Sequence, residues 1–171
     1  VKLSHEEHVL KLPDSYIGST DKSSEEMWYY SKTDGKMVKG LLTFVPGEFK
    51  IFDEIVVNAL DQFTRLSEKL AKGEDTVPVK NIKVDYRKET GEISVFNDGE
   101  GIPVELHEKE KIYIPQLIFG ELLTSSNYKK DEKRIVGGKN GYGAKLANIF
   151  SQTFTIETVD HINGFKYTQT W

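Results

Sequence analysis

The sequence predicts an α+β fold: a two-layer sandwich with helices on one face of a mixed, mostly antiparallel sheet. Three observations lead there. A long amphipathic helical pattern runs from Glu48 to Ala71. Two strand pairs, Ile82–Tyr86 with Ile93–Phe96 and Thr153–Val159 with Phe165–Trp171, are each joined through a glycine-bearing turn, as hairpins are. Hairpin connections disfavour a doubly wound parallel sheet, whose strands need long crossovers.

The chain has 171 residues, 37% hydrophobic and 29% charged. That length can bury roughly 70% of the surface the unfolded chain exposes, and the composition is globular. There is no cysteine, so neither a disulfide nor a thiolate metal site can form. The longest nearly apolar run, Leu41 to Val45, is far short of the ~20 residues that span a bilayer, so no membrane partner is expected. Residues 1–10 lack the basic and then apolar layout of a signal peptide. The start at Val1 suggests a piece of a longer protein. A net charge of -4 argues against a general nucleic-acid surface on this segment, because neutralising phosphates needs clustered Lys and Arg.

In chain order, residues 1–35 carry the turn signals Pro13-Asp14, Gly18-Ser19 and Asp34-Gly35 and read as an arm; residues 36–171 read as the main domain. Lys39 to Val45 is strand-like. Pro46-Gly47 then breaks the chain ahead of the long helix. Its Phe52, Val56, Ala59, Phe63, Leu66 and Leu70 recur at spacings of three and four and predict one continuous core-facing stripe. The first hairpin gives way to Asn97-Asp98-Gly99-Glu100-Gly101-Ile102-Pro103, too glycine-rich to continue a strand. Helical spacing returns in Pro115 to Leu123 and Gly143 to Phe150, with a polar, lysine-rich loop between them, and the second hairpin follows.

Four constellations carry chemistry, each with a plainer reading beside it. Glu54, Asn58 and Asp61 fall at i, i+4 and i+7 on the long helix, away from the apolar stripe. Such a face is often simply solvated, but Ile51 to Leu60 is otherwise so apolar that a glutamate and an asparagine there point to a cleft. Asp98-Gly99-Glu100-Gly101 after a strand lets the backbone approach a ligand while a carboxylate accepts from an amine; the plain reading is a turn. Gly137 to Lys145 is a glycine-rich loop running into a helix, suited to phosphate or else a surface loop. It is neither a Walker loop, since Leu146 follows Lys145, nor a dinucleotide fingerprint. Thr124 to Tyr128 is a polar cluster that could bind sugar or phosphate oxygens or merely end a helix.

Taken in order, Glu54 to Asp61, Asn97 to Pro103, Leu122 to Tyr128 and Gly141 to Lys145 resemble the motifs of the GHKL ATPase superfamily. The last two, with Tyr16-Ile17-Gly18-Ser19, resemble the eukaryotic-type branch of type II DNA topoisomerases, cellular or viral, and the likeness runs along essentially the whole chain. The resemblance implies a Bergerat-type fold, ATP and Mg²⁺ as cofactors, and an ATPase module that gates dimer closure during DNA strand passage. It implies Glu54 as the general base and Asn58 as the magnesium ligand. Asp98 would accept from the adenine amine, although the eukaryotic branch usually carries asparagine there. Ser125, Ser126 and Asn127 would contact ribose and phosphate oxygens, and Gly138, Lys139, Asn140, Gly141, Tyr142, Gly143, Ala144 and Lys145 would cradle the phosphates.

The resemblance also implies a homodimer formed through these domains, DNA engaged through the full-length enzyme, and a location in the nucleus, or in a viral replication compartment or the cytoplasm for a viral source. In the family a further domain follows this one and supplies a lysine to the γ-phosphate, so this segment alone is expected to bind weakly and hydrolyse slowly. The different-class alternative is a nucleotide-gated dimerisation switch of the chaperone or mismatch-repair kind. A histidine kinase is disfavoured, because His5 and His8 sit in no helical-pair context.

Overall fold

The computed structural model describes residues 3–122 and 142–171. The chain divides into two compact units, Val1–Ile51 and Phe52–Trp171. In the first, helix α1 (His5–Lys11) starts at a reciprocal cap: Ser4 Oγ accepts from Glu7 N, and the Glu7 carboxylate accepts from Ser4 N. Its Val9 is fully buried. Strands β1 (Ser23–Ser31) and β2 (Lys36–Phe44) then pair antiparallel over their full lengths, from Ser23↔Phe44 to Ser31↔Lys36. The stretch read as an arm therefore contains a nine-residue strand. Its signal is hidden because Met27 to Tyr30 are consecutive large apolar residues without period-2 alternation.

Helix α2 (Pro46–Ala71) begins on its proline, which has no N–H to leave orphaned in a first turn. The predicted stripe is only partly the buried one. Ala59 and Leu66 are buried, whereas Phe63 and Leu70 are 47% and 44% exposed. The half-buried positions beside Ala59 and Leu66 are the polar Gln62 and Lys69, which hold a loop described below. The helix thus packs along a line rotated toward its polar side.

Strands β3 (Ile82–Arg87) and β4 (Glu92–Asn97) pair from Ile82↔Asn97 to Arg87↔Glu92, and Gly91 takes φ +68 in the turn between them. Strands β5 (Thr155–Asp160) and β6 (Phe165–Thr170) form a second such hairpin. Both match the predicted pairs. Among the described residues ladder bonding stops at each hairpin, giving three two-stranded antiparallel sheets. Helices α3 (Ile114–Gly120) and α4 (Gly143–Ile149) pack together, with Asn148 Nδ2 donating to the Phe119 carbonyl at 3.0 Å. Phe119, Phe154 and Trp171 form an aromatic cluster beside them. It closes over Gly120, where a Cβ would come 2.8 Å from the Trp171 ring.

Candidate active site

Glu54, Asn58 and Asp61 are all half-buried in the structure, so the polar face of α2 does lie against protein. Glu54 is brought to the start of α4: a Cβ on Gly143 would overlap the Glu54 carboxylate. Only glycine at 143 leaves room for that carboxylate, which joins two constellations that are far apart in sequence. Asn58 lies one turn along α2 from Glu54, and its side-chain amide has no hydrogen-bond partner among the described residues. Tyr142, Gly143, Ala144 and Lys145 are half-buried at the same helix start. Burial pushes the Lys145 ammonium below the usual lysine range, partly offset by the charge of Glu121. Ser125, Ser126, Asn127, Gly138, Lys139, Asn140 and Gly141 lie outside the described residues.

The Asp98 loop differs from the sequence expectation in what its residues touch. Asp98 Oδ1 accepts from Lys80 N at 2.7 Å and Asn81 N at 2.8 Å, and Oδ2 accepts from Asn81 Nδ2 at 2.7 Å. Those bonds, the Asn81 side chain first, hold the carboxyl at about 2, well below the usual range. A carboxylate has about four lone-pair sites, so most of its accepting capacity is committed to Lys80 and Asn81, just ahead of β3. The glycines also serve packing more than ligand approach. A Cβ on Gly99 would meet Leu66 Cδ1 at 2.8 Å and overlap the Val79 side chain. One on Gly101 would overlap the Val159 carbonyl oxygen of β5.

Sequence reasoning missed the groups that hold this loop. Glu100, its side chain only 14% exposed, pairs with Lys69 at 3.3 Å and accepts from the Thr76 hydroxyl. Burial raises its carboxyl pKa, but the Thr76 and Lys69 interactions outweigh that, leaving it below the ordinary glutamate range. Gln62 Nε2 donates to the Glu100 carbonyl at 2.6 Å, and Glu100 N to the Val77 carbonyl at 2.8 Å. Further on, Ile102 N donates to Thr158 Oγ1 and Val104 N to Asp160 Oδ2, both at 2.9 Å. The loop is thus fastened in turn to the segment leading into β3, to α2 and to β5.

Asn97 was also passed over as a site residue. Strand alternation places it on the face of Val95, and both are half-buried while Ser94 and Phe96 are exposed. Its carboxamide has no hydrogen-bond partner among the described residues. The signal was available in the period-2 pattern, which puts Asn97 on the covered face and ends the strand before Asp98.

The described residues thus bring a half-buried glutamate, with an asparagine one turn along the same helix, against the start of α4. Residues 48–167 match the model for the histidine kinase-, DNA gyrase B- and HSP90-like ATPases, and the chain belongs to that family. Its nucleotide is therefore ATP. The chain is 54% identical over 170 residues to the DNA topoisomerase 2 of Candida glabrata and 51% identical to that of Saccharomyces cerevisiae. Each match covers 99% of this chain and 11% of the relative, so the chain spans about a tenth of the length of these curated relatives.

Among solved structures it resembles the ATPase region of Saccharomyces cerevisiae topoisomerase II, with a TM-score of 0.82 and 50% identity. That match covers all of this chain and 43% of the other. The ATPase and transducer domains of DNA topoisomerase II from Balamuthia mandrillaris match with a TM-score of 0.84 and 47% identity, over 100% and 41%. These likenesses bear out the predicted α+β fold of the GHKL type.

Proposed function

We propose that this chain is the ATP-binding and hydrolysing module of a type II DNA topoisomerase, in which nucleotide state gates closure of a homodimer during DNA strand passage in the nucleus. The observation that carries the reading is Glu54 held against Gly143 at the start of α4, with Asn58 one turn away. The relatives at 48–54% identity are named DNA topoisomerase 2, which favours this reading over a chaperone- or mismatch-repair-type switch. With a net charge of -4 here, contact with DNA falls mainly to other parts of the full-length protein.

Within the site, Glu54 takes the proton of the attacking water as general base. The Asn58 amide oxygen offers one neutral ligand to Mg²⁺. A single neutral oxygen suits an ion carried mainly by triphosphate oxygens and water. When bound, Mg²⁺ neutralises charge developing on the phosphates. Lys145, with the amides of Gly138 to Ala144, cradles the phosphates, and an anion beside its desolvated ammonium would favour the charged form. Ser125, Ser126 and Asn127 contact ribose and phosphate oxygens. At the base end, the uncommitted Asn97 oxygen accepts the adenine amine. Asp98, with at most one accepting site left, keeps the adjoining peptide in place and adds at most a secondary contact.

The test for catalysis is ATP turnover by the longer protein that carries this chain. Glu54→Gln should lower turnover by about 10²–10⁴-fold while binding of a non-hydrolysable ATP analogue persists. Turnover equal to wild type removes Glu54 as the base. For the base end, calorimetry should find a larger loss of analogue affinity for Asn97→Ala than for Asp98→Ala. The reverse order would return the direct contact to Asp98.

A further inference from the structure

Four bonds surround Asp98, and three of them come from a single residue. Asn81 gives its backbone N–H to Oδ1 and its side-chain amide to Oδ2, and its carbonyl accepts the Asp98 N–H at 3.3 Å. Lys80 N supplies the fourth bond. The Asp98 N–H belongs to the peptide unit that also contains the Asn97 carbonyl, so the last of these bonds fixes the plane in which Asn97 ends. The next residue, Ile82, is the direct cross-strand partner of Asn97. One residue earlier in β3's approach, Val79 packs where a Cβ on Gly99 would sit. Residues 79–82 therefore set the position of everything from Asn97 to Gly99.

Asn81 and Lys80 are exposed and Asp98 is half-buried, so water competes for these bonds and they contribute little to stability. Their consequence is orientation. Asn81 Nδ2 is the one side-chain donor to Asp98 among the described residues, and hence the one that substitution removes without disturbing the backbone. None of this was legible as function in the sequence, where Asn81 follows a polar linker.

We propose that Asn81 is a positioning residue that sets the base selectivity of the nucleotide site. By clamping Asp98 from both sides, it holds the end of β4 so that the Asn97 oxygen meets a 6-amino purine. The chemistry recognised is an exocyclic amine, against the carbonyl that inosine or guanine presents at the same ring position. A held acceptor rejects that carbonyl because two acceptors would then face each other in a desolvated site. A strand end free to shift would carry the Asn97 amide off the base and lose the discrimination. The inference rests on the Asn97 reading above.

The experiment compares affinities of the full chain for non-hydrolysable analogues of ATP and of inosine triphosphate, with Mg²⁺ present. Wild type should prefer the adenine nucleotide by at least about tenfold, the factor that one net hydrogen bond of roughly 1.4 kcal/mol provides. Asn81→Ala should bring the ratio close to one by weakening the adenine analogue, with inosine affinity and Tm nearly unchanged. Exchanging the pair, Asn81→Asp with Asp98→Asn, keeps a donor facing an acceptor and should restore the ratio. Equal loss for both nucleotides in Asn81→Ala, or a ratio that stays collapsed in the exchanged pair, overturns the proposal. If Asn97→Ala collapses the ratio and Asn81→Ala leaves it intact, this inference alone falls. A wild-type chain without adenine preference, or a preference that survives Asn97→Ala, overturns the acceptor reading and this inference with it.

Discussion

Asp98 follows β4 and Asp160 ends β5, and the two carboxylates are treated alike. Asp98 accepts from Lys80 N, Asn81 N and Asn81 Nδ2; Asp160 accepts from Val104 N, Ile162 N, Asn163 N and Asn163 Nδ2. Both titrate at about 2, in each case chiefly because hydrogen bonds favour the charged form. Yet Asp160 is 4% exposed and serves a turn and a loop crossing, while Asp98 is half-buried beside the amide of Asn97. A strongly depressed carboxyl therefore does not mark a functional group here. The two differ in their neighbours: beside Asp98 stands Asn97, whose carboxamide has no hydrogen-bond partner among the described residues.

Gly101 connects the two clasps and offers the largest effect. Its missing Cβ makes room for the Val159 carbonyl, a backbone atom that cannot swing aside. Gly101→Ala should cost about 1–3 kcal/mol, as overpacking does, or roughly 2–12 °C in Tm for a chain of this size. Thermal unfolding checks this, and an unchanged Tm would mean the two hairpins are less tightly joined than the contact implies. Next comes the pair itself. Asp160→Ala should lower Tm more than Asp98→Ala, because it removes a buried carboxylate that accepts four hydrogen bonds, whereas Asp98→Ala should weaken nucleotide binding more. Should both variants lose stability and binding in the same proportion, the division of labour between the clasps fails.

The smallest effect appears only in acid. Both folded-state carboxyl pKa values lie near 2, below the ordinary aspartate value of 3.8, so the folded state binds the proton less readily than the unfolded chain. Their stabilisation is thus fully present above pH about 4 and lost as pH falls through about 2. Denaturant unfolding between pH 5 and pH 2 should show this decline in wild type and a flatter profile in Asp98→Asn/Asp160→Asn. Matching slopes would place the acid sensitivity in other carboxylates.

Much of the fold was legible because it rests on local rules. Period-2 alternation and the turns holding Gly91 and Gly164 specified both later hairpins, and the 3.6-residue pattern of α2 specified a helix that the structure places at Pro46–Ala71. The strand β1 escaped because the consecutive Trp28, Tyr29 and Tyr30 do not alternate. In the site, Glu54 and Asn58 were legible as polar residues in an apolar context. The contact of Glu54 with Gly143 was not, since 88 intervening residues separate them in the chain and no local rule spans that distance.

By itself, the sequence determined the long helix, the two later hairpins and the residue types a nucleotide needs, because each depends on spacing within one element. Tertiary structure decided which of them serve as fasteners. A carboxylate next to a glycine reads the same whether it faces a ligand or a strand, and only the N–H groups of Lys80 and Asn81 around Asp98 resolve the difference. The physical reason is that hydrogen-bonding capacity is finite: the fold takes most of the lone pairs of Asp98, and on the proposed reading base recognition falls to Asn97, whose carboxamide has no partner among the described residues.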